Sequence, residues 1–445
     1  MHSALPKVLH PLAGRPLLAH VLDAVRSLAP RAVAIVIGHG GDAVKAALAA
    51  PDVRFALQDP PRGTGDATRA ALEVLPTDGV TLVTIGDIPL VPPAALAHLV
   101  REAEAGKLAV LTAHVSDPSG LGRIVRDAAG AVRAIVEHKD ATPAQRTIGE
   151  INAGVMAAPT TLLRRWVAAL KPDNAQNEYY LTDIVASALA DGVAVVGHAV
   201  ADEQDVRGIN DRAQLAAVER IVQKRMAIAL MEAGTTLADP ARFDIRGTLR
   251  CGRDVCIDVG CIFEGDVVLA DGVTIGPYCV LRDVTVGAGT AVAAFCHLER
   301  SAIGARCSIG PFARLRPDNT LQDDVHIGNF VEIKASTLGR GTKANHLAYI
   351  GNAIVGSSVN YGAGAIVANY DGAAKHTTVI GDNVHIGSNC VLIAPVTIGD
   401  GATIAGGSTI ADDAPPGQLT VARAPQVTVP NWTRPRKKAA LDEKG

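Results

Sequence analysis

No charge of either sign dominates this chain of 445 residues: 42 Lys and Arg stand against 45 Asp and Glu, leaving a net charge of -3. Without a positive field to draw a polyanion, nucleic acid is excluded as a main partner; the one basic run is RPRKK near the C-terminus. No uninterrupted apolar stretch reaches the roughly 18 to 20 residues of a membrane span. The N-terminus also lacks the apolar core of a secretory signal, so the sequence points to a cytoplasmic protein. No cysteine precedes Cys251, and no CxxC pair occurs among Cys251, Cys256, Cys261, Cys279, Cys296, Cys307 and Cys390. An odd count in a chain expected in the cytosol argues against a disulfide framework, and the spacing does not suit zinc. Small buried side chains are the expectation.

The length allows two or three domains, and the chain has two halves with different patterns. Up to about residue 205, short apolar runs (AVAIVI at 32–37, VTLVTI at 80–85, LAVLTAHV at 108–115) alternate with helix-like stretches at 16–28, 63–75 and 92–105. That alternation predicts βαβ units and a mainly parallel sheet, with ligands beyond the carboxyl ends of its strands. We assign 1–210 to this α/β domain. The segment 211–234 has the charge alternation of one amphipathic linker helix.

From 235 to 428 a six-residue repeat takes over. Aliphatic-glycine pairs recur in phase at Ile303-Gly304, Ile309-Gly310 and Ile327-Gly328. They recur again at Leu338-Gly339, Ile350-Gly351, Ile380-Gly381, Ile386-Gly387 and Ile398-Gly399. One inward aliphatic per six residues predicts a parallel β-helix, each unit forming one flat side. The phase slips, longest at 368–378, predict loops, and the flat sides predict oligomerisation. Residues 429–445 form a basic tail.

In the first half, LQDPPRGTGDA puts Gln58 at a strand end and Gly63-Thr64-Gly65 at a helix start. Exposed amides and small residues there suit a base or a phosphate, and equally describe a plain strand-to-helix turn. In VTIGDIPLV, Asp87 follows a buried strand and is placed either to hold Mg²⁺ on a triphosphate or to cap the helix at 92–105. Asn210, in GIN, can supply a second metal ligand. Gly122, Glu137 and Asn152 fall on later loops, where a carboxylate and an amide can bond sugar hydroxyls. In the second half, His346 lies in a polar segment beside the repeats, with Arg316, Lys334, Tyr349, Asn360 and Lys375 within one or two periods. Cations and donors of that kind suit a phosphorylated sugar, or are outward solvated charges on a coil. Glu332 is near enough in the repeat to orient an imidazole.

The ordered motifs LPKVLH, LQ…GTG, GDIP, GLGRI, VEHKDA, EINAG, EYYLTD and GIN precede repeats carrying RLRP, NFVEIK, NHLAYIG and NYDG. Together they resemble the bacterial bifunctional enzymes with N-acetylglucosamine-1-phosphate uridylyltransferase and glucosamine-1-phosphate N-acetyltransferase activities. The similarity covers essentially the whole chain. ADP-glucose pyrophosphorylases share the architecture but would not be expected to carry the histidine motif. The resemblance implies a Rossmann-like α/β nucleotidyltransferase domain followed by a left-handed parallel β-helix, assembled as a homotrimer. In the first domain it implies that Lys7 neutralises phosphate oxygens, that Gln58 and Thr64 hold uracil, that Gly122, Glu137 and Asn152 recognise the sugar, and that Gly63 and Gly86 belong to the same UTP and UDP-N-acetylglucosamine site. Asp87 and Asn210 would hold Mg²⁺, with UTP and N-acetylglucosamine 1-phosphate as substrates. In the second it implies that His346 is the general base, and that Arg316, Lys334, Tyr349 and Asn360 bind glucosamine 1-phosphate with support from Glu332 and Lys375. Ala363, Asn369, Tyr370, Ser388, Gly406 and Arg423 would line the acetyl-CoA groove, the arm with Arg423 reaching a neighbouring subunit. Family members often carry Ala where Gly406 stands.

One departure stands out. Family members begin with a strand and a loop of the form L-x-A-A-G-x-G-T-R-M, and this sequence starts at what matches the final Met. Two rival readings follow: an acetyltransferase with a vestigial first domain, and a non-catalytic nucleotide-sensing scaffold. A lysine without a cradle of backbone amides binds triphosphate poorly. We therefore expect little or no uridylyltransferase activity from the chain as written, and activity from a product starting about 18 residues earlier, where the glycine-rich loop would lie. An assay of UDP-N-acetylglucosamine formation by this chain at a normal rate would refute the first expectation.

Overall fold

The computed structural model describes residues 1–435; residues 436–445, and with them most of the basic run, lie outside the described residues. Two compact units are present, one of residues 1–229 with Phe243–Gly247, the other of 230–242 with the described chain from Thr248 onward.

In the first unit the apolar runs fold as expected. Strands Val33–Ile37, Val80–Val83 and Leu108–His114 alternate with helices Leu17–Arg26, Thr64–Val74 and Pro93–Glu104. Helix Leu17–Arg26 buries Leu17, Leu18, Val21 and Leu22, the apolar stripe that its period predicts. Strand Leu108–His114 is buried on both faces up to its last residue, which explains its unbroken apolar run.

The sheet differs from expectation in one respect: it is mixed rather than mainly parallel. Leu108–His114 runs parallel to Val195–Ala199. Glu150–Pro159, however, is antiparallel to Val80–Val83, Leu108–His114 and Arg123–Arg126. A hairpin, Arg123–Arg126 with Val132–Val136, adds a further antiparallel pair. Its turn is tied by Asp127, whose carboxylate accepts from the amides of Ala129 and Ala131. A tight turn joins only antiparallel strands. Val33–Ile37 and Val53–Leu57 form a separate two-stranded parallel sheet. Helix Arg212–Glu232 covers nearly all of the segment assigned to a linker helix.

The second unit is a parallel β-helix of one eleven-stranded and one fifteen-stranded sheet. On one side, Thr274, Ala291, Ser308, His326, Lys343, Asn360, His385 and Thr403 stack in register, coil upon coil. Their neighbours Ile275, Val292, Ile309, Ile327, Ala344, Tyr361, Ile386 and Ile404 point inward and are at most 2% exposed. Each fully buried aliphatic contributes about 1.5–3 kcal/mol. The predicted loop at 368–378 is a real insertion: Asn360 and its partner His385 are 25 residues apart, where Asn329 and His346 are 17. Within it Tyr370 bridges Lys375.

At one corner, successive coils place Tyr278, Phe295, Phe312, Phe330 and Leu347 in the left-handed region, at φ of 50–58°. All five point outward and are exposed. Their rings stack at centroid distances of 5.4, 5.1 and 5.3 Å from Tyr278 to Phe330. All seven cysteines are free, and five are buried as expected, while Cys251 is half-buried and Cys256 exposed.

Coils meet most closely at glycines. A Cβ on Gly328 would run into the carbonyl oxygen of Asn345 on the next coil, and backbone cannot yield as a flexible side chain does. Gly328→Ala is expected to destabilise the β-helix by about 1–3 kcal/mol, read as a lower thermal midpoint; an unchanged midpoint would contradict the packing described.

Candidate functional site

Two clusters gather the residues singled out in the sequence. In the first unit, Lys7, in the short helix Lys7–Leu9, donates from Nζ to the Asp87 carboxylate and to Asn210 Oδ1, the latter at 2.9 Å. The amide of Ile209 donates to the Asp87 carbonyl at 3.1 Å, which brings the GIN segment against the GD turn. Helix Pro93–Glu104 is capped by Pro92, so Asp87 is free of capping duty. A side chain at Gly86 would press on Val8 and Leu18. Two oxygen donors thus converge on a cation, here the lysine's own ammonium. Hard oxygen ligands of this kind suit Mg²⁺, with the remaining positions left to phosphate oxygens and water. Among the described residues no group of three or more His, Cys, Asp or Glu is arranged to hold a metal.

Gln58 follows strand Val53–Leu57, and its Nε2 donates to the Gly63 carbonyl at 3.0 Å and to Asp66 Oδ2 at 3.1 Å. Gly63 caps helix Thr64–Val74 at φ +105°, and a Cβ there would lie 2.6 Å from the Tyr179 carbonyl oxygen. Thr64 Oγ1 accepts from the Leu181 amide at 3.0 Å. The GTG turn therefore has a structural task, docking the EYYLTD segment. Gly122 and Asn152 are joined by the Asn152 amide donating to the Gly122 carbonyl at 2.8 Å. The Glu137 carboxylate lies 3.3 Å from where a Gly122 Cβ would stand, so the three come together.

Burial pushes the Glu137 carboxyl up, against the hydrogen bond it accepts from Thr182 Oγ1 at 3.2 Å; Asp183 and Asp140 raise it further. Asp183 is also raised, first by burial and then by Asp140. Tyr180 is pushed up to about 12 by burial and by these same carboxylates. Tyr180, Thr182 and Asp183 had no role in the sequence reading. The motif EYYLTD was visible, but only the fold lays it across Glu137.

In the second unit, His346 ends strand Lys343–His346 and is exposed. Its Nδ1 is 3.0 Å from Oδ1 of Asn329, the residue in register on the preceding coil. Both line an open groove of about 510 Å³ with Gly310, Pro311, Phe312 and Phe330. Glu332 does not orient the imidazole, contrary to expectation. It stands in register with Tyr349, around the corner from His346, and is held by Arg316 at 3.1 Å. Lys334 is held below the usual lysine range, first by the neighbouring Lys375 ammonium and then by burial and by Arg316. Such mutual repulsion is relieved by an anion. Asn360 is 3.5 Å from His385 Nδ1 on the same side of the coil as His346.

Further along, Asn369 is buried and donates to Asn352 Oδ1 at 2.7 Å, while Tyr370 is exposed and donates to the Gly372 carbonyl at 2.7 Å. Ala363, Ser388 and Gly406 stack on successive coils, with the Asn389 amide on the Ala363 carbonyl and the Gly407 amide on the Ser388 carbonyl, both at 2.8 Å. Arg423 Nη1 donates to the Gly406 carbonyl at 2.5 Å. A Cβ at 406 would sit 3.4 Å from the Ser388 carbonyl oxygen, an ordinary contact, so either Gly or Ala fits there.

The family model for a MobA-like NTP transferase domain matches residues 1–175, and that for the bacterial transferase hexapeptide (six repeats) matches 377–412. The chain is 55% identical to the Bifunctional protein GlmU of Methylibium petroleiphilum over 446 residues, 98% of this chain and 97% of that one. It is 55% identical to that of Albidiferax ferrireducens over 452 residues (98% and 97%), and 53% to that of Ralstonia pickettii over 437 (98% and 96%). The chain belongs to the GlmU family. Both halves of the GlmU architecture, nucleotidyltransferase and hexapeptide coil, are therefore present in one polypeptide.

Among the candidate site residues, Glu137 offers a stability test. Its folded value lies above its unfolded one, so its burial is tolerated below the unfolded value and becomes costly as pH rises through the folded value. The neutral isostere in Glu137→Gln is expected to raise the thermal midpoint relative to the parent at pH 8 and to lose that advantage at pH 4. A difference independent of pH would contradict this.

Proposed function

We propose that the chain carries the two sites that make UDP-N-acetylglucosamine, one for acetyl transfer and one for uridylyl transfer, the second being the one expected to turn over little in the chain as written. The carrying observation is the arrangement around His346: an exposed imidazole with one nitrogen engaged, an open groove beside it, and a repelling cluster of cations on neighbouring coils. In the acetyl transfer, the ammonium of glucosamine 1-phosphate gives a proton to His346. The freed lone pair attacks the thioester carbon of acetyl-CoA, the C–S bond breaks, and CoA departs as the thiol with one proton released overall. Arg316, Lys334, Tyr349 and Asn360 hold the sugar phosphate, with Lys375 adding charge and Glu332 fixing Arg316. Ala363, Asn369, Tyr370, Ser388, Gly406 and Arg423 border the CoA path.

In the uridylyl transfer, a phosphate oxygen of N-acetylglucosamine 1-phosphate attacks the α-phosphorus of UTP, and the bond to the β-phosphate breaks to release pyrophosphate. Positioning carries this reaction. Gln58, Gly63 and Thr64 face the base, and Gly122, Glu137 and Asn152 face the sugar. Asp87 and Asn210, with Gly86 beside them, would hold Mg²⁺, which when bound neutralises phosphate charge. Lys7, which bridges these two oxygens, would meet phosphate.

The partners are small molecules and two further copies of the chain, in the cytoplasm. The exposed stack of Tyr278, Phe295, Phe312, Phe330 and Leu347 supports the trimer, since a continuous apolar ridge beside the His346 groove calls for cover. Among the described residues no helix is long and apolar enough to cross a membrane. A second reading, acetyl transfer alone, is favoured by one feature: among the described residues Val33–Ile37 shares no sheet with Val80–Val83, so the strand that precedes Asp87 and the strands before it are not hydrogen-bonded into one frame.

His346→Ala is expected to lower CoA release dependent on glucosamine 1-phosphate by about 10²-fold or more, while the solution mass stays that of three chains. Near-normal turnover would remove the base assignment, and a parent mass of one chain would remove the trimer.

A further inference from the structure

Asn329 lies in the motif NFVEIK, yet neither the sequence reading nor the family resemblance gives it a task. Its carboxamide oxygen is 3.0 Å from His346 Nδ1, and among the described residues it is the one side chain hydrogen-bonded to that ring. The contact is built into the fold. The two residues are in-register partners on adjacent coils, and Gly328, beside Asn329, is where those coils approach too closely for any Cβ. Other groups near the imidazole are placed by the same register. Lys343 shares its strand, and His326 is Lys343's partner on the preceding coil. On the following coil Tyr361 is buried inside the prism, and on the adjoining side Glu332 is taken by Arg316.

A base must present a lone pair to the ammonium, and a neutral imidazole has only one such nitrogen, set by whichever bond the other makes. We propose that Asn329 is the positioning residue of the acetyl-transfer base: its Oδ1 accepts Nδ1–H of His346, fixing the tautomer and turning the Nε2 lone pair into the groove. This rests on the reading of His346 as the base. An amide orients the ring without adding the negative charge by which a carboxylate, though able to orient it as well, would raise its affinity for the proton. Glu332, the carboxylate nearest in sequence, is kept from that role by Arg316.

The test compares the full chain with Asn329→Ala, Asn329→Asp and His346→Ala, measuring CoA release against pH together with thermal midpoints. Asn329→Ala is expected to lower kcat by about tenfold or more with KM for both substrates within about twofold, as loss of an orienting partner does. Asn329→Asp is expected to recover much of that kcat, and to move the acidic limb of kcat/KM upward by about one pH unit, since a carboxylate now faces the ring. A packing role would not produce that shift. Normal kcat in Asn329→Ala, or an unshifted profile in Asn329→Asp at an unchanged melting temperature, overturns the proposal while an inactive His346→Ala leaves the base assignment standing. An active His346→Ala overturns both. If Asn329→Ala melts lower, the Asn329→Asp profile alone decides.

Discussion

The second half of this molecule depends on register. Every coil of the prism must lie over the last so that each backbone amide finds its carbonyl, and a side chain's nearest neighbours are then the residues one coil before and after it. Inward positions become a buried column from Ile275 to Ile404, aliphatic but for Tyr361. Outward positions become columns as well, and chemistry is assembled along them: Asn329 with His346, Glu332 with Tyr349. The constraint is tight because the column is one residue wide. Where two coils touch at backbone, as at Gly328 and Asn345, no side chain is admitted.

The insertion at 368–378 shows how the prism adds function without breaking register. The extra residues leave the coil after Ala368, fold back through the bridge of Tyr370 with Lys375, and rejoin at Thr378, which pairs with Ala353 as if nothing had intervened. The loop thereby carries Lys375 to Lys334, a cation the coil itself could not supply. The corner ridge from Tyr278 to Leu347 has the same origin, since one left-handed position per coil, filled repeatedly with large apolar residues, makes a continuous apolar edge.

The first half handles anionic substrates by different means. Strand Glu150–Pro159 runs against three neighbours, and this hub sets Asn152 beside Gly122 and, through the hairpin, beside Glu137. The cluster at Glu137 is thus rich in carboxylates, raised by burial and by one another, whereas at the GD turn one ammonium stands between Asp87 and Asn210.

Local pattern determined the elements. The runs at 32–37, 80–85 and 108–115 became strands within two residues because alternation and continuous apolarity are properties of a few neighbouring positions. The six-residue phase likewise announced the coil and its loop. Most candidate site residues were legible for the same reason, as motifs of strand ends and repeats. Strand direction was not, because the antiparallel course of Glu150–Pro159 is decided by pairing across distant segments. The partner of His346 was not legible either: Glu332 was nearer along the chain, but the coil's register placed Asn329 under the ring, and Arg316 had already claimed the carboxylate. Thr182 and Asp183, which act on Glu137, and Tyr180, on which Glu137 acts, were silent because these are effects of burial and proximity, which exist only once the chain has closed around them.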